Sequence, residues 1–97
     1  MLVSNTVIPT ANASRYLQQI CKHWSHKFAV EFTPEHGRIP FDDGRVCLLD
    51  ADDAALKLRL EAADAEALAR GERVVIEHLK RFAFREDLGD VVWTHAA

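Results

Sequence analysis

The feature that most constrains this chain is one segment in which apolar and charged residues strictly alternate. Leucines occupy every second position of the segment, and the positions between them are charged: Leu56, Leu58 and Leu60 against Lys57, Arg59 and Glu61. Successive side chains of a strand point to opposite faces of a sheet, so this segment has one apolar face and one charged face. The pattern is typical of an antiparallel sheet with one side in water. Other elements must therefore cover its apolar side.

Two helical segments can provide that cover. The first runs from Ala13 to Trp24, where apolar residues recur at three- and four-residue spacing and so share one face. The second follows Asp64, whose side chain can cap a helix, and continues to about Phe82. Gly71 lies within the second helix and costs about 1 kcal/mol relative to alanine. We therefore expect a kink or a weak turn at Gly71.

The remaining segments predict six short strands. Their approximate bounds are 2–8, 28–33, 38–41, 46–51, 56–61 and 91–94. Pro40 cannot donate to a ladder, so we expect its strand at a sheet edge or a bulge. The sequence Asp42-Asp43-Gly44 predicts a hairpin turn. The order strand, helix, four strands, helix, strand predicts an α+β fold, a two-layer sandwich with an antiparallel sheet and two helices on one face.

Composition limits the classes of function that this chain can serve. The 97 residues, 48% hydrophobic and 28% charged, predict a single α+β domain over 1–97. A net charge of −3 gives no electrostatic footprint for nucleic acid, and no apolar stretch is long enough for a membrane span. We expect Cys21 and Cys47 to be reduced and buried, since two cysteines make no disulfide framework. Without a secretory signal, the expected location is the cytoplasm.

The polar residues of most interest lie on the two predicted helices and just beyond them. His23 on the first helix and His26 at its exit are three residues apart, close enough to share a ligand. If the helices pack side by side, His78 and neighbouring cations can join them around a cationic pocket suited to a small anionic ligand. The expected ligand-binding residues are Arg15, Tyr16, His23, His26, Lys27, His78, Arg81 and Arg85.

Three other interpretations remain open at this point. These groups can simply be the solvated faces of ordinary helices. A small enzyme can use His23 or His26 as a general base or metal ligand, although no zinc-type spacing is present and we expect no cofactor. A protein–protein module can pair through an exposed edge strand, either the first strand or the Pro40 strand, to form a homodimer or bind a partner protein.

Glu72 is an anomaly in the second helix, because its carboxylate falls within the apolar arc. The side chain can extend to solvent at the end of the helix. The alternative is a buried carboxylate, which needs hydrogen-bond partners to offset its loss of hydration.

Three stretches carry a resemblance to a known family: SRYLQQICKHWSHKFAVEF (14–32), HGRIPF (36–41) and HLKRFAFRE (78–86). They resemble bacterial domain-of-unknown-function family 2218, along nearly the whole chain. Some members resemble a module beside siderophore-interacting ferric reductases. The resemblance therefore implies a role near iron or siderophore handling, with any reductase a separate partner protein, and it implies no catalytic residues.

The positions of this chain that match the family's motif are concentrated on the two helices. They are Ser14, Arg15, Tyr16, Leu17, His23, His26, Lys27, Arg38, His78, Phe82 and Arg85. Gly71 departs from the pattern, since a helix-favouring residue is expected there.

Overall fold

The computed structural model describes residues 1–41 and 44–96, and in that part of the chain it contains two helices and six strands. In chain order these elements are β1 (Leu2–Pro9), α1 (Ala13–Trp24), β2 (Glu31–Phe32), β3 (His36–Pro40), β4 (Val46–Ala51), β5 (Ala55–Ala62), α2 (Ala65–Phe82) and β6 (Thr94–Ala96).

The six strands form one antiparallel sheet in the order β2-β3-β4-β5-β1-β6. The predicted α+β class is confirmed, as is the order strand, helix, four strands, helix, strand. A short turn joins β4 to β5, which is how neighbouring antiparallel strands are connected. The predicted hairpin turn at Asp42-Asp43-Gly44 begins with two residues that lie outside the described part of the chain.

The alternating segment forms β5, near the middle of the sheet. Its leucines are buried, whereas Lys57 and Arg59 are exposed on the opposite face. Cys47 and Leu49 of β4 pair with β5 leucines and extend the buried face sideways. On the exposed face, Lys57 lies opposite Asp50, a favourable pair of opposite charges. The sheet therefore has one apolar side and one hydrated side, as the alternation predicts.

Both helices cover the apolar side of the sheet. The buried stripe of α1 includes Leu17 and Ile20, and that of α2 includes Val75 and Leu79. Asp64 caps α2, because its Oδ1 accepts a hydrogen bond from the Ala67 backbone N–H at 2.8 Å. The predicted arrangement of two helices on one face is confirmed.

Two glycines let the helices approach the sheet closely. A Cβ on Gly37 of β3 would lie 2.7 Å from the Cys21 Sγ of α1. A Cβ on Gly71 of α2 would lie 2.7 Å from the Leu60 Cδ2 of β5. Helix α2 continues from Ala65 to Phe82 through Gly71, so the glycine does not break the helix. The close packing of α2 on β5 explains why the missing side chain is tolerated in mid-helix.

The strands expected at the sheet edges are internal. Strand β1 lies between β5 and β6, and the strand that contains Pro40, β3, lies between β2 and β4. The expectation that either forms an exposed edge is therefore wrong where a neighbour pairs with it, at residues 3–5 of β1 and 37–38 of β3. Pro40 is the last residue of β3 and pairs with Val46 of β4. The described edges are the short strands β2 and β6.

Two strands are shorter than predicted because some of their backbone groups form hydrogen bonds outside the sheet ladder. Phe28 donates its N–H to the Trp24 carbonyl, which prolongs the turn after α1 and leaves only Glu31–Phe32 for β2. At the other end, the Val92 carbonyl accepts a hydrogen bond from the Thr6 hydroxyl at 2.8 Å. The final strand begins only at Thr94.

The two cysteines are free and buried, which confirms the sequence prediction. Burial raises the pKa of the Cys21 thiol to about 11 and that of the Cys47 thiol to about 12. Both thiols are therefore protonated and unreactive near neutral pH. Neither α1 nor α2 combines the length and the apolar character needed to cross a membrane.

Candidate functional site

The ends of α1 and α2 bring two predicted site residues into direct contact. The imidazole rings of His23 and His78 have centroids 5.3 Å apart. Trp24 lies 4.7 Å from the His78 ring and Phe82 lies 5.8 Å from the His23 ring, both centroid to centroid. His23 is exposed, whereas His78 is partly buried against these aromatic rings. The predicted meeting of histidines from separate helices therefore holds for this pair.

The backbone of α2 fixes the orientation of His78. Its Nδ1 lies 2.8 Å from the Val74 carbonyl, one helical turn earlier. A carbonyl oxygen only accepts, so Nδ1 carries the proton and donates. In the neutral imidazole the other nitrogen, Nε2, is then an acceptor.

An arginine-lined cleft of about 200 Å³ lies beside the histidine pair. Helix α1 contributes Arg15 and Gln19, which are four residues apart on one helical face. The end of α2 and the residues after it contribute the rest of the lining, together with Tyr16 of α1: Phe82, Phe84 and Arg85. Phe82 is shared, because it lines the cleft and also contacts His23. The cleft and the histidine pair thus meet at Phe82, and we call the cleft itself the arginine cleft.

The segment that carries Arg85 is anchored by its neighbour Glu86. The Glu86 Oε1 accepts hydrogen bonds from the Thr10 hydroxyl at 2.8 Å, the Asn12 Nδ2 at 3.3 Å and the Tyr16 hydroxyl. Thr10 and Asn12 lie between β1 and α1, and Tyr16 lies near the start of α1. Because these bonds hold one carboxylate, they fix the chain after α2 against α1.

The same hydrogen bonds shift two pKa values in opposite directions. The bond from Tyr16, with those from Thr10 and Asn12, lowers the pKa of Glu86 because it favours the carboxylate. The bond to Glu86 raises the pKa of Tyr16, and burial and the carboxylate's charge act in the same direction. Tyr16 therefore lines the arginine cleft with its hydroxyl already engaged.

The other expected ligand-binding residues lie apart from these contacts. His26 is exposed in the turn after α1, and Arg81 is exposed on α2. The Lys27 Nζ lies 5.6 Å from the centroid of the Phe28 ring. Nothing described in the chain places His26 or Arg81 in a hydrogen bond, ion pair or ring contact. The structure thus brings Arg15, Tyr16 and Arg85 to one cleft, and joins His23 and His78 beside it.

Within residues 1–41 and 44–96, no group of three or more His, Cys, Asp or Glu side chains is arranged to hold a metal ion. The hypothesis of a site built from His23, His26 and His78 therefore lacks the geometry of a metal centre. The two histidines that do meet are in ring contact with each other and with aromatic neighbours.

Three contributors to the arginine cleft are absent from the expected ligand-binding residues: Gln19, Phe84 and Glu86. Gln19 follows Arg15 by one helical turn, a spacing that could have identified it. Phe84 and Glu86 flank Arg85 beyond the helix, where no periodicity indicates which way a side chain points.

Comparisons with known proteins place the chain in a family. A search of curated proteins gave no match. The NMR structure of PA4090 from Pseudomonas aeruginosa is similar, with a TM-score of 0.81 and 38% sequence identity over 97% of this chain and 96% of that chain. The family model described as "Uncharacterized protein conserved in bacteria (DUF2218)" matches residues 5–94. The chain therefore belongs to this family of uncharacterised bacterial proteins, DUF2218.

Proposed function

We propose that the domain binds a small anionic ligand in the arginine cleft. The observation that carries this proposal is the position of Arg15 and Arg85, which come from separate segments and line the same cleft. Two guanidinium groups in one concave site favour a carboxylate or phosphate, because guanidinium geometry allows paired hydrogen bonds to either group. Gln19 adds an amide that can donate to the same ligand.

The support for a pre-formed site comes from Glu86. Its three hydrogen bonds fix the segment next to Arg85 before any ligand arrives. An ordered binding segment has less conformational entropy to lose on binding. The Glu86 carboxylate also adds a negative charge nearby, but that charge is already engaged by three donors.

The size of the cleft restricts the ligand. About 200 Å³ is below the usual range of about 300–1,000 Å³ for sites that enclose a whole drug-sized molecule. The cleft therefore suits a small anion, or one acidic arm of a larger ligand whose remainder lies along Phe82 and the histidine pair. An anionic ferric chelate is one ligand of this second kind, as the family resemblance suggests, and a ferric reductase would then be a separate partner.

The affinity expected for such an open site is modest. Each charge-assisted hydrogen bond contributes about 1.5–3 kcal/mol, so two of them support a dissociation constant on the order of 1 mM. Titrating the 15N-labelled protein with phosphate, citrate and ferric citrate tests this directly. We expect phosphate and citrate to shift the amide resonances around Arg15, Gln19 and Arg85. Ferric citrate, which is paramagnetic, should broaden the same resonances, and at a lower concentration than citrate shifts them if the chelate is the ligand class.

Matched variants separate a site from general attraction to cations. Arg15→Gln and Arg85→Gln should each weaken binding by about tenfold. Arg70→Gln removes the same charge from an exposed position of α2, where Arg70 pairs with Glu66 at 3.9 Å, and should leave binding unchanged. The proposal is wrong if no probe shifts these resonances at 20-fold the expected constant of about 1 mM, or if Arg70→Gln weakens binding equally.

A further inference from the structure

A second cleft lies beside the first turns of α2, and it combines an apolar lining with one carboxylate. It has a volume of about 420 Å³. Leucine and alanine side chains make up most of the lining, and the polar groups are a glutamate and a histidine: Leu2, Ala65, Leu68, Ala69 and Ala96, with Glu72 and His95. We call it the Glu72 cleft. Its volume lies within the range of small-molecule sites.

The carboxylate is held in place from two sides. The Ser4 hydroxyl, which is fully buried, donates to the Glu72 Oε2. His95 Nε2 lies 2.7 Å from the same oxygen. A carboxylate only accepts, so Nε2 carries the proton in this contact. The side chain of Glu72 is 16% exposed, which makes it a largely buried carboxylate rather than one that extends freely into water.

One oxygen of this carboxylate is left for a ligand. Both described hydrogen bonds end on Oε2, and Oε1 accepts none from the described residues. None of the buried side-chain polar atoms that the structure describes lacks a partner, so Oε1 is reached by solvent. A solvent-facing carboxylate oxygen among alanine and leucine side chains favours a donor over another acceptor.

This arrangement is not a catalytic triad. In a triad the histidine lies between the hydroxyl and the acid, so that it can take the hydroxyl proton. Here the carboxylate lies between Ser4 and His95, and both groups donate to it. The cluster is therefore suited to binding rather than to activating a nucleophile.

The charge around the cleft is negative when His95 is neutral. Glu72 supplies the charge, and Asp64 caps the N-terminus of α2, where its carboxylate offsets the partial positive charge of the helix end. Two cations of the same helix, Arg73 and Lys80, line a neighbouring cleft that shares Ala69 and Glu72. The Glu72 cleft itself contains no lysine or arginine among its described lining residues.

We infer that the Glu72 cleft binds a small molecule with an apolar body and a protonated amine. The alkyl part would cover Leu2, Leu68 and the alanines, and the ammonium would donate to the free Oε1 of Glu72. A charge-assisted hydrogen bond in an apolar cleft is stronger than one to a neutral hydroxyl. This inference is independent of the proposed function, since no residue lines both the Glu72 cleft and the arginine cleft.

Three probes with one alkyl chain and different head groups test the inference: hexylammonium, 1-hexanol and hexanoate. Each is titrated into the 15N-labelled protein at constant ionic strength. We expect hexylammonium to bind most tightly and hexanoate least, with shifts at Leu2, Leu68, Ala69 and His95. The inference is wrong if hexanoate binds as tightly as hexylammonium, or if no probe shifts these residues up to its solubility limit.

Variants then test the carboxylate and the cleft separately. Glu72→Gln keeps the shape and can still accept from Ser4, so it should weaken hexylammonium binding by about tenfold and leave 1-hexanol unchanged. Glu77→Gln, an exposed position of the same helix, is the control and should change neither. Ala69→Leu fills the cleft from an exposed position and should abolish binding of all three probes.

The outcomes distinguish the two clefts. Arg85→Gln should leave hexylammonium binding intact even where it weakens anion binding. A preference for hexylammonium that survives Glu72→Gln would overturn the inference, because the carboxylate would not be the receptor. The folded state of each variant is checked by its amide spectrum.

Discussion

At the scale of single residues, the hydrogen bonds around Glu86 organise the end of the molecule that carries the arginine cleft. One carboxylate oxygen accepts from Thr10 and Asn12, which lie between β1 and α1, and from Tyr16 near the start of α1. The arginine next to it, Arg85, depends on this anchor for its position. A single residue thus connects the stability of a loop to the geometry of a cleft.

The titration of Tyr16 measures this anchor directly, because the chain contains one tyrosine. Its hydrogen bond to Glu86 favours the protonated phenol and raises its pKa above the ordinary value near 10. In the Glu86→Gln variant the negative charge is gone, so we expect the pKa of Tyr16 to fall towards that value. The ultraviolet absorbance of the phenolate follows the titration, and circular dichroism confirms that the fold persists.

Glu77→Gln is the control for this measurement, since it removes a carboxylate from an exposed part of α2. It should leave the Tyr16 titration unchanged. Coincident titration curves for the parent and Glu86→Gln would contradict the assigned role of Glu86.

At the scale of elements, the fit of α2 onto β5 depends on the absence of a side chain at Gly71. Replacing a mid-helix glycine by alanine ordinarily stabilises a helix by about 1 kcal/mol. Here the new Cβ would lie 2.7 Å from the Cδ2 of Leu60, whose side chain is fully buried and has little room to move. Overpacking of this kind costs about 1–3 kcal/mol, so the contact should outweigh the helix propensity.

We therefore expect Gly71→Ala to lower the free energy of unfolding by about 1 kcal/mol, measured by urea denaturation. The double variant tests the cause. Valine at position 60 lacks the Cδ atoms, so in a Leu60→Val background the same Gly71→Ala change should stabilise the protein. If Gly71→Ala stabilises the parent chain as well, the close approach is not the reason for the glycine.

Local sequence patterns predicted the helices and strands themselves better than they predicted which strands lie next to each other in the sheet. The bounds of α1 and the strand character of β5 follow from periodicity within one segment, which is why both were predicted. The internal positions of β1 and β3 depend on pairing between distant segments, and no local pattern carries that information. Helix propensity likewise takes no account of Leu60, whose close approach explains why a glycine occupies position 71.

In the candidate sites too, local patterns identified single residues, whereas their contacts depend on how distant segments pack. Helical spacing placed Arg15 and the two histidines His23 and His78 on faces that could meet, and the packing of α1 on α2 brought the histidines together. The partners of Glu72 come from the first and last strands, so the cluster exists only once β1 and β6 pair. The sequence therefore marked Glu72 as unusual without indicating what it contacts.

At the scale of the whole molecule, the last strand, β6, covers part of the free edge of the first strand, β1. Strand β6 pairs with β1 at Val3, Ser4 and Asn5, and the Thr6 hydroxyl donates to the Val92 carbonyl. Without this cover, an eight-residue strand would become an edge of the sheet. Long uncovered edges invite pairing with other chains.

Deletion of residues 89–97 should therefore both destabilise the protein and promote self-association. The loss of the β1–β6 bonds and of the His95 contact to Glu72 should lower the midpoint of thermal unfolding. Light scattering at increasing concentration measures association, with the full chain at the same concentration as reference. A truncated chain that stays monomeric and equally stable would show that the last strand has no protective role.

Because both helices lie on one side of the sheet, a fluorescent dye can be attached to the other side without contacting them. Lys57 is exposed there, across the sheet from the helical layer. The natural thiols have pKa values of about 11 and 12, so a Lys57→Cys substitution would introduce the one thiol that reacts readily near neutral pH. A dye attached at that cysteine would not block the binding of ligands in either cleft.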